Sequence, residues 1–158
     1  MKRIARFYKV SDKQFSSACS SARLSDVMLP KRATAGSAGY DFFAPFDFSL
    51  APEESIKIPT GIRVKISEGW VLKIYPRSSL GFKYRLTLNN TVGIIDSDYF
   101  YAENEGHIFI KLTNCGNTPL SVEKGKAFAQ GIFVEYGITE DDDATALRTG
   151  GFGSTDNK

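Results

Sequence analysis

Histidine is almost missing from this chain, with His107 alone, and cysteine is confined to Cys19 and Cys115. A structural zinc site or a Cys–His nucleophile needs clusters that such a composition does not supply. The two cysteines lie far apart and form neither a disulfide framework nor a metal knuckle, so reduced thiols are expected. No apolar run approaches the roughly 18 residues that span a bilayer, which excludes a membrane-spanning helix. The first residues, "MKRIARFYKV", are basic but lack the apolar centre of a secretory leader, and a cytoplasmic protein is expected. Neither sign of charge dominates: 20 Lys and Arg face 18 Asp and Glu, a net of +2. That is too small to argue for a nucleic-acid-binding surface, and no nucleic-acid partner is expected. What remains is ordinary for a globular protein, 158 residues with 42% hydrophobic and 24% charged, enough for one domain with a real core.

The chain alternates more than it spirals. In "IKIPTGIRVKI", Ile56 and Ile58, then Ile62, Val64 and Ile66, take every second position, with Lys57, Arg63 and Lys65 between them. A period of two marks half-buried strands, and Pro59-Thr60-Gly61 reads as the turn. "VLKIY", "HIFIKL" and "AFAQGIFVEY" read as further strands. One helix is expected early, where Phe15, Ala18, Cys19 and Ala22 recur at helical spacing and Ser11 or Asp12 can cap the start. Many short strands divided by Gly and Pro predict an all-β jelly roll or barrel. We divide the chain into a barrel domain over 1–139 and an acidic linker with a Gly-rich arm over 140–158. The acidic run "TEDDDA" reads as a solvated linker, because successive side chains of an extended segment point apart and do not chelate jointly.

Five segments carry candidate chemistry. In "SAGYDFFAP", Asp41 lies inside an apolar and aromatic run, where a carboxylate needs a partner; a strand-edge aspartate bonded to backbone is the plain alternative. In "YPRSSLGFKY", Arg77 offers a planar fork of donors suited to phosphate, with Ser78 and Ser79 beside it, although "PRSS" alone is a common turn. In "LNNTVGIIDSDYFY", Asp96 closes an apolar run, and partial desolvation raises the basicity of such a carboxylate. Asn90 can read the edge of a base with one donor and one acceptor, and Tyr99 offers a flat face. In "EKGKAFAQG", Lys124-Gly125 reads as a turn into a strand, and Gln130 in its apolar setting needs a hydrogen-bond partner. The end, "RTGGFGST", joins Arg148 and Phe152 to glycines and hydroxyls. A plain linker has little use for a phenylalanine, whereas a closing lid does; the Lys and spacing of a P-loop are missing.

In this order, "AGYDFFA", "PRSSLGF", "VGIIDSDY", "KGKAFAQ" and "RTGGFGST" resemble the five motifs of the trimeric dUTP pyrophosphatases (dUTPases), from about residue 38 to 155. The resemblance implies a homotrimeric, distorted jelly-roll β-barrel with a flexible C-terminal arm. It implies hydrolysis of dUTP to dUMP and pyrophosphate by water attacking the α-phosphate, which limits uracil incorporation into DNA and supplies dUMP for dTTP synthesis. By position, it makes Asp96 the base that activates water. Asn90 and the backbone of Gly93, Ile94 and Ile95 would bind uracil, Tyr99 would pack under deoxyribose, and Phe152 would stack on the base. Arg77, Ser78, Ser79 and Gln130 would hold phosphates, with Arg148, Gly153, Ser154 and Thr155 of the arm gripping the last of them. Asp41 would hold Mg²⁺ through bound water.

Some positions depart from the common pattern. Ser79 and Gly81 stand where many members read Gly then Ala, and Lys126 replaces a frequent aspartate. The arm is shorter between Arg148 and its glycines, and "FYAENEGHI" adds sequence after Tyr99 that reads as an extended hairpin tip. These features resemble a branch found in Gram-positive bacteria and their phages. A rival within the fold is dCTP deaminase, which needs a glutamate and an arginine where this chain has Lys111 and Phe82; a lysine cannot shuttle protons as that carboxylate does. A rival of another class is a dUTP-sensing regulator with a protein partner, for which 102–106 and the acidic run would be the candidate surfaces.

Overall fold

The computed structural model describes residues 2–148 and Gly150. Along the chain lie β1 (Ala5–Lys9), α1 (Asp12–Ala18), β2 (Lys31–Arg32), β3 (Tyr40–Phe43), β4 (Phe48–Leu50), β5 (Ser55–Pro59), β6 (Ile62–Ile66) and β7 (Trp70–Pro76). Then follow α2 (Ser78–Tyr84), β8 (Leu86–Leu88), β9 (Gly93–Ile95), β10 (Phe109–Asn114), β11 (Leu120–Val122) and β12 (Ala127–Glu135). Short 3-10 turns cover Leu24–Asp26 and Ser97–Tyr101. The all-β reading holds, and the architecture is of the jelly-roll type.

Among the described residues the strands form four antiparallel sheets, in the orders β1-β6, β5-β10-β8, β11-β4 and β2-β3-β12-β7-β9. Among the described residues no barrel closes. All four sheets nonetheless feed one core: Ile62 and Val64, Ile58 and Leu112, Leu50 and Leu120, and Phe42, Leu72 and Phe128 are buried in a single cluster. Alternation sets which face turns inward. In β6, Ile62, Val64 and Ile66 are buried while Lys65 is exposed, as a period of two requires.

The Pro59-Thr60-Gly61 turn does not close a hairpin. β5 pairs with β10 and β6 pairs with β1, so the chain changes sheets there. Gly61 has φ +72°, and a Cβ on it would meet Val27 Cγ2 at 3.0 Å and the Phe15 ring at 3.2 Å. Both its conformation and its surroundings require glycine.

α1 forms where expected. Ser11 is its N-cap, accepting from Gln14 N–H, and Phe15 and Cys19 are buried. It ends at Ala18, short of Ala22, because the serine run competes with it: the hydroxyls of Ser16 and Ser17 donate to the carbonyls of Lys13 and Gln14. α2 is a helix the alternation did not announce. Its C-cap Arg85 takes the left-handed conformation, φ 52° and ψ 37°, and reaches back to the carbonyls of Leu80 and Gly81.

Candidate active site

β12 is the spine of the first cluster. It runs between β3 and β7, and Gln130 stands opposite Asp41 on one side and Tyr75 on the other. Its side-chain amide donates to the carbonyl of Pro76 at 3.1 Å, which satisfies the half-buried polar group. A Cβ on Gly39 would lie 2.8 Å from Gln130 Oε1, so glycine leaves the room this amide uses. Arg77 follows the end of β7, and its Nε lies 3.3 Å from Asp41 Oδ1. The carboxylate expected to need a partner therefore has one. Ser78 and Ser79 open α2, exposed, with the first-turn amides that a helix leaves without internal acceptors.

The second cluster surrounds β9. This strand pairs with β7, while β8 pairs with β10, so the turn from Leu88 to Val92 crosses between sheets and is no hairpin. Thr91 there has φ 65°, a costly value for a β-branched residue. The crossing leaves a groove of about 670 Å³ lined by Ile74, Leu88, Asn90, Gly93, Ile95 and Asn104, among others. Gly93 permits the close approach of β9 to β7, since a Cβ on it would lie 3.0 Å from Ile74 Cβ. Asp96 follows β9 as N-cap of the Ser97–Tyr101 turn. Tyr99 turns inward, 4% exposed.

Arg148 joins this cluster in an arrangement the sequence did not announce. Its Nη2 lies 2.7 Å from Asp96 Oδ2, its Nε lies 2.8 Å from Asp98 Oδ1, and its guanidinium carbon sits 5.9 Å from the Tyr99 ring centre. Expected to grip phosphate, it here bridges two carboxylates. Phe152, Gly153, Ser154 and Thr155 lie outside the described residues.

The segment after Tyr99 is not a protruding hairpin tip. Ala102, Gly106 and His107 are buried, and Glu105 and Gly106 turn the chain with φ 60° and 69°. Asn104 donates to the Tyr99 hydroxyl at 2.8 Å, and that hydroxyl donates to the His107 carbonyl at 2.8 Å. Burial pushes the Tyr99 hydroxyl up from the usual tyrosine range, so it stays a donor. Gly61 N–H donates to His107 Nε2 at 2.9 Å, which puts the proton of the neutral ring on Nδ1, so the Gln14 side-chain amide, 3.4 Å away, has to present its oxygen there to accept it. Burial pushes the His107 imidazole down to about 4. The bonds of Asn104 and Glu105 escaped the sequence reading because these are polar residues in a run without period, and His107 read only as the start of a strand.

The two clusters do not meet within one chain. Ile95 is opposite Leu72, so Asp96 continues away from Arg77, and the strand rise separates the two by roughly 20 Å.

The family model described as dUTPase matches residues 25–156. The chain belongs to the dUTPase family. A deoxyuridine 5'-triphosphate nucleotidohydrolase of Lactococcus lactis is 42% identical over 132 residues, spanning 82% of this chain and 88% of that one. The crystal structure of the dUTPase from Streptococcus mutans superposes with a TM-score of 0.69 at 32% identity, covering 85% of this chain and 98% of that one. The dUTPase from phage phi11 of S. aureus shares the fold, with a TM-score of 0.67 at 20% identity, covering 92% and 98%. The match to the family model begins after α1.

Proposed function

We infer that this chain hydrolyses dUTP to dUMP and pyrophosphate, and that one catalytic centre is built from clusters on different copies of the chain. The observation that carries this reading is a nucleoside-sized groove whose lining residue Ile95 leads directly into Asp96, a carboxylate set roughly 20 Å along the sheet from the donor Arg77. One triphosphate needs both clusters, and a single chain holds them apart. A homotrimer, as family membership suggests, brings them together.

In this reading Asp96 orients water and takes its proton during attack on the α-phosphate. Asn90 and the backbone of Gly93, Ile94 and Ile95 read uracil, and Tyr99 lies under deoxyribose. Arg77, Gln130 and the opening amides of α2 receive phosphate oxygens and stabilise charge as it develops. Arg148 leaves the two carboxylates for the terminal phosphate when dUTP enters, freeing Asp96, while the arm closes with Phe152 over the base. The arm orders only where triphosphate compensates its lost entropy, about 1–2 kcal/mol per residue of backbone, so dUMP departs.

Among the described residues no three His, Cys, Asp or Glu side chains gather as a metal site. The single carboxylate of Asp41, already beside Arg77, fits an ion borne mainly by phosphate oxygens and reached through water. When bound, Mg²⁺ neutralises charge on the triphosphate.

Lys111 is exposed on β10 and Phe82 is 92% exposed on α2, which leaves no carboxylate–arginine pair for deamination at those positions. The test is to incubate purified protein with each dNTP and Mg²⁺ and measure pyrophosphate. Release from dUTP alone is expected; release from none, or from all equally, would overturn the reading.

A further inference from the structure

Tyr99 sits on a segment that three outside elements hold. From β6, Arg63 Nη2 donates to the Phe100 carbonyl at 2.6 Å, and its guanidinium carbon lies 3.8 Å from the Phe100 ring centre. From the start of α1, the backbone N–H and hydroxyl of Ser11 donate to the Glu105 carboxylate at 2.8 and 2.6 Å. From the Pro59–Gly61 crossing, Gly61 binds the His107 ring. These contacts hold the chain that follows Tyr99. At the far end of the ring, the Tyr99 hydroxyl donates to the His107 carbonyl and accepts from the side chain of Asn104.

Asn104 is itself constrained. Its Oδ1 accepts from Gly106 N–H at 3.1 Å while its Nδ2 donates to Tyr99 Oη at 2.8 Å. One amide thus ties the turn to the ring, and the same side chain lines the groove beside Gly93 and Ile95. We propose that Asn104 is a positioning residue that holds the Tyr99 ring as a rigid floor and thereby sets discrimination between deoxyribonucleotide and ribonucleotide. The physical reason is steric. A floor excludes one extra hydroxyl only if it cannot yield, and a tilt of a few tenths of an ångström admits the larger sugar. The proposal rests on the reading of Tyr99 as the sugar platform.

Asn104→Asp isolates the effect, because it keeps the acceptor for Gly106 N–H and loses the donor to Tyr99. The expected result is a fall of about 5- to 10-fold in the ratio of kcat/KM for dUTP over UTP, the size of one lost hydrogen bond, carried mainly by a gain with UTP. Tyr99→Phe removes the hydroxyl itself and is expected to lower the ratio similarly. Asn104→Asp added to Tyr99→Phe is then expected to change the ratio no further, whereas independent effects would multiply. A merely structural role would lower both activities together and leave the ratio unmoved. An unchanged ratio in Asn104→Asp, or multiplying effects in the double variant, would overturn the proposal. Wild-type protein that turns over UTP as well as dUTP would instead overturn the reading of Tyr99 beneath it.

Discussion

Replacing Asp96 by Asn separates two jobs of one carboxylate. Asparagine keeps the shape and an acceptor for Arg148 Nη2 but cannot take a proton from water. Loss of a general base lowers turnover by at least ~100-fold. Binding is expected to move the other way. Arg148 spans Asp96 and Asp98 at 2.7 and 2.8 Å, but those carboxylate side chains are 48% and 52% exposed. Each partly solvated pair therefore contributes no more than ~1 kcal/mol. Neutralising Asp96 removes one of them, makes Arg148 easier to detach, and favours dUTP by up to ~5-fold in Kd. The assay pairs single-turnover hydrolysis of dUTP with equilibrium binding of a non-hydrolysable analogue. Turnover within tenfold of wild type would refute Asp96 as the base. A Kd weakened more than tenfold would refute competition between Arg148's two sets of partners, and would mean that Asp96 itself holds the nucleotide.

Removing residues 148–158 is expected to leave a folded oligomer by size-exclusion chromatography with turnover reduced at least ~100-fold, the scale expected when transition-state donors are lost; a truncated protein that fails to fold would make the arm structural. Gly131→Ala is expected to destabilise by about 1–3 kcal/mol, read as a lower Tm, because its Cβ would lie 2.8 Å from Leu72 Cδ1 and 3.1 Å from Phe42 Cε2 inside the core. His107 makes stability pH-dependent: its folded value of about 4 lies below its ordinary 6.5, so the unfolded chain binds the extra proton and stability is lost as pH falls from 6.5 towards 4, by on the order of 3 kcal/mol. Glu105 and Lys57 act on the ring with opposite sign, Glu105 favouring the charged form; His107→Gln should flatten Tm against pH in that window, and a wild-type slope that persists in the variant would contradict the assignment.

The inward faces of the strands were legible because burial on one side imposes a period of two, as Ile62, Val64 and Ile66 show. Ser11 as N-cap was legible because a hydroxyl before a helical stripe has one obvious use. Strand partners were not. Pro59-Thr60-Gly61 looks the same whether it closes a hairpin or carries the chain between sheets, and only the remote strands β1 and β10 decide. α2 was hidden because Gly81 and two serines lower its helical signal, and its left-handed end falls on Arg85 rather than glycine. The segment after Tyr99 was misjudged for a related reason. "AENEG" is polar enough for a tip, yet Asn104 and Glu105 spend that polarity on Tyr99 and Ser11. This also weakens the regulator reading, since 102–106 is engaged from within the chain and offers little free surface.

Family membership followed from short segments because each motif keeps its own geometry. Asp96 and Tyr99 are placed by the same turn, and Arg77 and the opening of α2 by the same strand end. In the proposed assembly, no motif encodes which copy of the chain each segment faces. The antiparallel pairing of β9 with β7 sends Asp96 away from Arg77, so residues close in motif order are driven apart in one chain. Arg148 follows the same logic. A guanidinium tethered by an acidic, exposed linker is drawn to the nearest anions, which in its own chain are Asp96 and Asp98. A triphosphate offers more negative charge than two half-exposed carboxylates and forks of oxygens of equal reach. In the proposed reading, Arg148 therefore exchanges one set of partners for the other without rearrangement of the core.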